Sequence, residues 1–246
     1  MGLLPLIAVD LLNEEVLARL PNFTRRMHWL MNNRPDLQTQ VSMSAPCPEG
    51  AHHHLRLLAI PSKDRLLRLL ALMLDENEFL SPFGIRSLSK RHAESPCVVQ
   101  VNGSEFRVAY EPAESECNMF GGNSNWRGPV WFPLNFLLIE SLLTYDQFYG
   151  PSLTVEFPTR SGNHLRLREV ARELAKRLLR LFTAEQSGHR PWHGPYTIYS
   201  KDPRWQDLQL FHEYFHAETG KGLGASHQTG WTSLITRCIE IAHHPG

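Results

Sequence analysis

Apolar positions along the chain fall into two kinds of helical pattern, and the contrast between them predicts an architecture. From Pro133 to Phe148 the run PLNFLLIESLLTYDQF is apolar on nearly every face, the pattern of a helix buried on several sides. Over 164–183, Leu165, Leu167, Val170, Leu174, Leu178, Leu179 and Phe182 make one stripe while Arg and Glu fill the rest, the pattern of an outer helix lying on a core. Helices that alternate between these two kinds predict two concentric layers, as in an (α/α) barrel. A plain bundle would be built mostly from one-sided helices.

Other periodic stretches fill in the helical picture. A short helix is predicted over 12–20 with Asn13 as its cap. Another spans 22–33, with Phe23, Met27, Leu30 and Met31 on one face, and ends at Arg34-Pro35 because the residue before proline avoids the α region. Ser62 starts a helix over Lys63 to Leu74, apolar at Leu66, Leu67, Leu69, Leu70 and Leu74. Residues 204–216 and 228–243 also read as helical, bringing the total to about seven. Residues 41–56 are predicted loop, with Pro46, Pro48, Gly50 and then His52, His53 and His54. Successive histidines point in different directions, so this triplet reads as exposed loop rather than a metal site. Phe79 to Ser89 (FLSPFGIRSLS) is also predicted loop. Over 97–110, Val99, Val101, Phe106, Val108 and Tyr110 alternate around Asn102-Gly103, and Asn-Gly is the preferred two-residue hairpin turn. The expected fold class is therefore all-α, with a small β-hairpin insertion at about 97–110.

Composition narrows the function classes. The 246 residues are 42% hydrophobic, enough for a real core. Lys plus Arg and Asp plus Glu both number 25, for a formal net charge of zero, so no electrostatic footprint points to nucleic acid or an anionic membrane. No stretch approaches the ~18–20 apolar residues of a membrane span. Cys47, Cys97, Cys117 and Cys238 form no C-x-x-C and read as thiols of a reduced, cytoplasmic chain. The opening Met1-Gly-Leu-Leu-Pro-Leu-Ile-Ala-Val lacks a basic n-region and reads as a core segment entered partway. No cofactor is expected.

Two motifs overlap at one carboxylate. His212-Glu213-Tyr214-Phe215-His216 matches H-E-x-x-H. On a helix, imidazoles at i and i+4 share a face and reach one zinc ion, with the glutamate polarising its water. The longer metzincin form then needs Gly at 219 and His at 222, where this chain has Thr219 and Gly222, and Glu240 is the candidate third ligand left downstream. Against this stands a sugar reading. Gly121 to Trp131 (GGNSNWRGPVW) carries Asn123, Asn125, Trp126, Arg127, Gly128 and Trp131 ahead of the helix at Pro133. Tryptophan faces stack on pyranose C–H faces, and Asn and Arg donate to hydroxyls. The bland alternative is a tight inter-helix loop with buried tryptophan anchors. Gly222 to Trp231 (GLGASHQTGW) has the same character, with His227, Gln228, Thr229 and Trp231. Two such loops, each ahead of a helix, together with Glu213 make a candidate carbohydrate site. Arg86 and Ser87 in the FGIRSLS loop offer a third wall, with a structural role as the stronger expectation, and no metal is expected at the site.

The segments GGNSNWRGPVWFPLNFLLIESL and EYFHAETGKGLGASHQTGW are similar to the C-terminal catalytic region of glycoside hydrolase family 63, which includes processing α-glucosidase I, mannosylglycerate hydrolase and bacterial α-glucosidase-like proteins. The likeness is greatest to the long bacterial type. It runs from GLLPL through FLSPFGIRSLS and YEPAES to the final helix. It implies an (α/α)6 barrel and hydrolysis of an α-glycosidic bond with inversion, which takes an acid and a base carboxyl ~6.5–9.5 Å apart. The family's base lies in a Glu-x-x-x-x-x-Thr-Gly context, here Glu213 with Thr219-Gly220. Its W-x-G-P-x-W loop is matched by Trp126, Gly128, Pro129 and Trp131, and its glutamine by Gln228. Beside these matches, the two loops themselves add Trp231, Arg127, Asn123, Asn125 and His227 to the candidate sugar-binding set. His212 is outside the pattern, which makes H-E-x-x-H a coincidence. The family's general acid is an Asp upstream of the matched region. Residues 1–246 are therefore expected to be the C-terminal portion of the barrel domain, with the missing N-terminal part of the same enzyme, or a second copy, as partner. A non-catalytic carbohydrate-binding or vestigial fragment and, further off, a zinc peptidase are the alternatives.

Overall fold

Residues 2–35, 55–116 and 126–243 are described by the computed structural model, and they divide into two units, residues 1–72 with 137–171 and residues 73–136 with 172–246. The predicted triplet His52 to His54 lies outside the described residues.

In the first unit, β1 (Val9–Asn13) pairs antiparallel with β2 (Leu55–Ala59), from Val9 opposite Ala59 to Asn13 opposite Leu55. Residues 55 and 56 are thus strand, where loop was predicted. The predicted first helix follows as α1 (Glu14–Arg19), capped by Asn13, whose side-chain oxygen accepts from the Glu15 N–H at 2.8 Å. Next, α2 (Pro21–Asn33) begins on a proline and closes where the Arg34 N–H donates to the Leu30 carbonyl. Only part of its predicted apolar face is covered: Met27 is buried, while Phe23 and Leu30 stand exposed.

The next three helices occur where periodicity placed them: α3 (Lys63–Met73), α4 (Phe132–Tyr149) and α5 (Leu167–Arg180). Their faces differ as predicted. α4 buries Phe132, Leu138, Ile139, Leu142, Tyr145, Phe148 and Tyr149 over a broad arc, with Leu137 left exposed, whereas α5 buries one narrower stripe, Leu167, Val170, Ala171, Leu174, Ala175 and Leu178. Ahead of α5, residues 164–166 are strand rather than helix, because β7 (Thr154–Glu156) pairs with β8 (His164–Arg166). Buried Asp146 fixes this junction, accepting from Arg168 Nε at 2.7 Å and Arg166 Nη2 at 3.1 Å.

The second unit departs further from an all-helical plan. The predicted loop at 79–89 contains a tight pair, β3 (Leu80–Ser81) with β4 (Gly84–Ile85). Buried Asn135 pins it, accepting from the Ile85 N–H at 2.6 Å and donating to the Ile85 carbonyl at 3.0 Å. The predicted hairpin is present as β5 (Cys97–Val101) and β6 (Ser104–Val108), turning on Asn102 and Gly103 at φ 50° and 79°, the positive values this turn requires. A four-residue helix α6 (Ile198–Lys201) comes next.

The predicted helix at 204–216 does not form. Turns follow α6, Glu213 lies in a bend, and β9 (Tyr214–Phe215) pairs with β10 (Gly222–Leu223). The physical reason is where Phe215 sends its backbone. Its N–H donates to the Val130 carbonyl at 3.0 Å and its carbonyl accepts from the Val130 N–H at 2.9 Å, bonds that an α-helix would have to keep internal. The stretch 228–243 is helical, but in two pieces, α7 (Thr229–Thr232) and α8 (Ile235–His243). Helix is the commoner regular structure, yet five two-stranded sheets occur among the described residues, so the all-α expectation is corrected to a mostly helical chain with small sheets. No helix among the described residues is long and apolar enough to cross a membrane.

Candidate active site

Glu213 sits half-buried in the bend before β9, and the 222–231 loop is folded against its backbone. The Glu213 N–H donates to the Ala225 carbonyl at 2.8 Å. In return, the Ala225 N–H donates to Glu213 Oε2 at 3.2 Å. The Trp231 indole N–H donates to the Glu213 carbonyl at 2.9 Å, Thr232 Oγ1 donates to the His212 carbonyl at 2.7 Å, and the Gln228 N–H donates to the Phe211 carbonyl at 2.6 Å. Gly224, at φ 66°, permits the approach: a Cβ there would stand 2.6 Å from Glu213 Oε2 and 2.8 Å from the Tyr214 ring. Gln228 caps α7, its side-chain oxygen accepting from the Gly230 N–H at 3.2 Å. His227 is exposed beside it.

The two histidines of the H-E-x-x-H match do not share a helical face, because the segment is bend and strand. His216 Nδ1 accepts from the N–H groups of Glu218 and Thr219 at 3.1 and 3.3 Å, closing the turn that leads into β10. His212 lies with its ring flat on Gly222, where a Cβ would come within 2.2 Å of it. Burial pushes its pKa down to about 4, with the charge of Lys221 lowering it further and the Leu223 backbone opposing. His212 is thus a neutral core residue. No group of three metal-ligating side chains occurs among the described residues. The geometry that made the zinc reading chemically sensible is therefore not formed.

From Arg127 to Trp131 the segment turns its side chains inward. Trp131 is 1% exposed and is stacked between two rings, Trp126 at 3.7 Å and 9° and Tyr214 at 4.5 Å and 18°. At those separations the two partners must occupy opposite faces of the indole. Trp231 leans on the same ring at 6.1 Å and 58°. Trp126, at the outer end of the stack, is 48% exposed. Arg127 is buried and ion-paired with Glu111 Oε2 at 2.7 Å, with Ser115 also in contact. The Arg127 carbonyl accepts from the Glu111 N–H at 2.9 Å. Gly128 is packed so closely on the Glu111 carbonyl that a Cβ would lie 2.4 Å from its oxygen. Asn123 and Asn125 lie outside the described residues.

The structure thus brings together Glu213, Trp126, Trp131, Trp231 and Gln228, and it turns Arg127 away to Glu111. Arg86 is structural, as expected. It is buried and makes paired hydrogen bonds to Glu218 at 2.9 and 3.1 Å, while Tyr110 donates to the same carboxylate at 2.6 Å. Three participants escaped the sequence reading: Tyr214, Glu111 and Glu114. Tyr214 forms the inner end of the aromatic stack. Its phenol is pushed up to about 12 by burial and then by the negative charges of Glu114 and Glu213. The acid-rich run YEPAES, 16 residues before Arg127 at Glu111, was the available signal for a buried partner to that cation.

A family model described as the mannosylglycerate hydrolase MGH1-like glycoside hydrolase domain matches residues 55–232, a span that contains the aromatic stack, Glu213 and its clamping loop. The chain belongs to that glycoside hydrolase family. An uncharacterized protein of Saccharomyces cerevisiae is 45% identical over 240 residues, covering 97% of this chain and 22% of the yeast protein. A probable mannosyl-oligosaccharide glucosidase of Schizosaccharomyces pombe is 28% identical over 175 residues, and the mannosyl-oligosaccharide glucosidase of Saccharomyces cerevisiae is 23% identical over 176; each match covers 71% of this chain and 15% of the relative. The chain spans about a fifth or less of the curated relatives it matches. This agrees with the resemblance to glycoside hydrolase family 63 drawn from the two long motifs.

Proposed function

We propose that this chain supplies the base-bearing part of an (α/α)6-barrel glycosidase that hydrolyses an α-linked glucoside, or a related α-glycoside, with inversion. Glu213 takes the proton from the attacking water. The observation that carries this reading is a half-exposed carboxylate anchored by a backbone N–H and placed directly before Tyr214, the inner ring of a stack that ends in exposed Trp126. A base must be held in one geometry to be effective, and an exposed indole face is the complement of a pyranose C–H face. Membership in a glycoside hydrolase family supports it, as do two relatives named for glucosidase activity.

In this scheme Trp126 offers the sugar platform and Trp131 backs it. Trp231 walls the Glu213 side, while His227, Gln228, Asn123 and Asn125 meet hydroxyls. Arg127 serves through Glu111, holding the loop that presents Trp126. The acid is proposed to be an Asp on polypeptide beyond these residues, ~6.5–9.5 Å from the base across the scissile bond. The partner is carbohydrate, with no role for nucleic acid or membrane, consistent with zero formal charge. A cytoplasmic location belongs to the same proposal.

The test is hydrolysis of α-glucosides by the longer polypeptide that also carries the acid, followed by proton NMR of the first-formed sugar. Inversion releases the β-anomer. Glu213→Gln is expected to lower kcat by about 10²–10⁴-fold, the usual worth of a general base, while calorimetric sugar binding persists. Undiminished turnover by that variant removes the assignment. Sugar binding by that longer polypeptide, acid included, without any hydrolysis identifies the non-catalytic carbohydrate-binding alternative instead.

A further inference from the structure

We infer that Trp231 and the Gly224-Ala225 turn are positioning residues for Glu213. They fix the backbone and one carboxylate oxygen of the base rather than contacting sugar through hydrogen bonds. The inference deepens the assignment of Glu213 as base, and it rests on that assignment only for its kinetic consequence.

Three contacts converge on this single residue from one loop. Ala225 both accepts from the Glu213 N–H, at 2.8 Å, and donates to Glu213 Oε2, at 3.2 Å, so one residue grips the main chain and the side chain of the base together. The Trp231 indole N–H, 2.9 Å from the Glu213 carbonyl, holds the next peptide group, on the other side of the Glu213 Cα. An indole has one donor, and this one is committed to backbone, so Trp231 has no N–H to offer a hydroxyl. Its ring is also partly covered by packing against the Trp131, Tyr214 and Leu223 cluster. Gly224 completes the device. Its positive φ turns the chain so that the following N–H faces Oε2, and its missing Cβ leaves the space the Glu213 side chain occupies: a methyl group there would stand 2.6 Å from Oε2 and 2.9 Å from the Glu213 Cβ. The Ala225 N–H thereby favours the rotamer in which Oε2 accepts from it. That preference converts an exposed, flexible glutamate into a preorganised base, because displacement by 1 Å costs about 10²-fold in rate.

A readout that does not depend on turnover tests the grip directly. In protein labelled with 15N-alanine, the Ala225 amide proton is expected to move downfield as pH is raised through ionisation of Glu213, because a hydrogen bond to a charged acceptor is shorter and stronger. The midpoint should equal that of the Glu213 carboxyl carbon followed by 13C NMR. In Glu213→Gln the Ala225 movement should vanish, and His212 and Glu114, the titratable neighbours that remain, should not restore it. In Gly224→Ala the movement should shrink while far-UV circular dichroism keeps the parent shape. A flat Ala225 amide in the parent protein, or one that titrates unchanged in Glu213→Gln, overturns the inference whatever the enzyme hydrolyses. Kinetics provide the second arm. Trp231→Phe keeps an aromatic wall and removes the donor, so a positioning role predicts a kcat lowered roughly 10- to 100-fold with KM within about twofold. A raised KM at unchanged kcat would make Trp231 a sugar contact and sink the positioning role. Loss of activity in Glu213→Gln, read separately, decides whether Glu213 is the base at all.

Discussion

Residues 126–131 and 222–231 look alike as sequence, each mixing glycine, tryptophan and polar residues ahead of a helix, yet they do opposite things. In the first, the side chains from Arg127 to Trp131 go inward. Trp131 is filled on both faces, Arg127 is buried against Glu111, and Gly128 exists so that backbone can lie on backbone. In the second, exposed residues from Gly224 to His227 pass over the surface while their main chain, helped by one indole, grips Glu213. A tryptophan in a glycine-rich loop is therefore ambiguous until its N–H and its two faces are accounted for. One loop is a foundation and the other a clamp.

If that contrast holds, truncating the two tryptophans should have unequal costs. Trp131→Ala opens a cavity between Trp126 and Tyr214 and is expected to lose about 3–5 kcal/mol of stability, visible as a collapse of the thermal midpoint. Trp231→Ala removes a half-buried ring and one hydrogen bond, and should lose distinctly less while impairing any turnover. Equal losses in a denaturant titration would erase the distinction between foundation and clamp.

The glycines sharpen it further. An alanine at 128 would put its methyl 2.4 Å from the Glu111 carbonyl oxygen, an atom held in place because Glu111 is also bonded through its N–H to Arg127. Gly128→Ala should therefore cost at least the 1–3 kcal/mol typical of overpacking. At 224 the nearest atom is the far end of a side chain, Glu213 Oε2 at 2.6 Å. Part of the strain there can be relieved by moving the carboxylate, while the Tyr214 ring at 2.8 Å must also shift, so Gly224→Ala should cost less stability than Gly128→Ala but more than the ~1 kcal/mol of the unfavourable φ alone, and more function. Chemical denaturation of the two variants side by side checks the order, and the reverse order would mean that the second loop, not the first, carries the fold.

How much of this was legible in the chain follows from how local each cause is. The helices over 22–33, 63–74 and 133–148 were readable because their periodicity and caps lie within the segment, and the 97–110 hairpin because Asn102-Gly103 specifies its own turn. The pairing of Val9–Asn13 with Leu55–Ala59 was not, since each strand depends on a partner far along the chain. The helix expected at 204–216 failed for the same reason. Trp205, Leu208, Phe211 and Phe215 have helical spacing, but Phe215 is claimed by Val130. For the candidate site, Glu213 and the two tryptophan loops were marked by motif and composition. What stayed hidden was direction: that Arg127 faces Glu111, that Trp231 donates to backbone, and that Ala225, a residue with no side-chain chemistry, makes the contact to the carboxylate. Main-chain hydrogen bonds leave no residue-type signature, so the clamp is visible only in the folded chain.

The smallest expected effect separates the loops by pH. His212 lies on Gly222, at the root of the clamp, and burial holds its pKa at about 4, below the ordinary value near 6.5. The folded state therefore binds this proton less readily than the unfolded chain. The contribution to stability is complete above pH 6.5 and is lost as pH falls from there toward 4. By pH 5.5, about one unit into that window, the loss from His212 is about 1 kcal/mol. Buried His193, also held at about 4 by burial with His189 and Arg190 adding to the effect, works in the same direction. The 126–131 segment contains no histidine. Acid should thus loosen the clamp before the foundation. Hydrogen exchange at pH 5.5, corrected for its intrinsic rate, should speed up at the Glu213 amide relative to pH 7, with less change at Val130. In His212→Phe the thermal midpoint should fall less steeply between pH 7 and 5. If that variant melts along the same curve as the parent, His212 is not the group that acid acts on, and the weakness of the second loop must lie in its exposed residues instead.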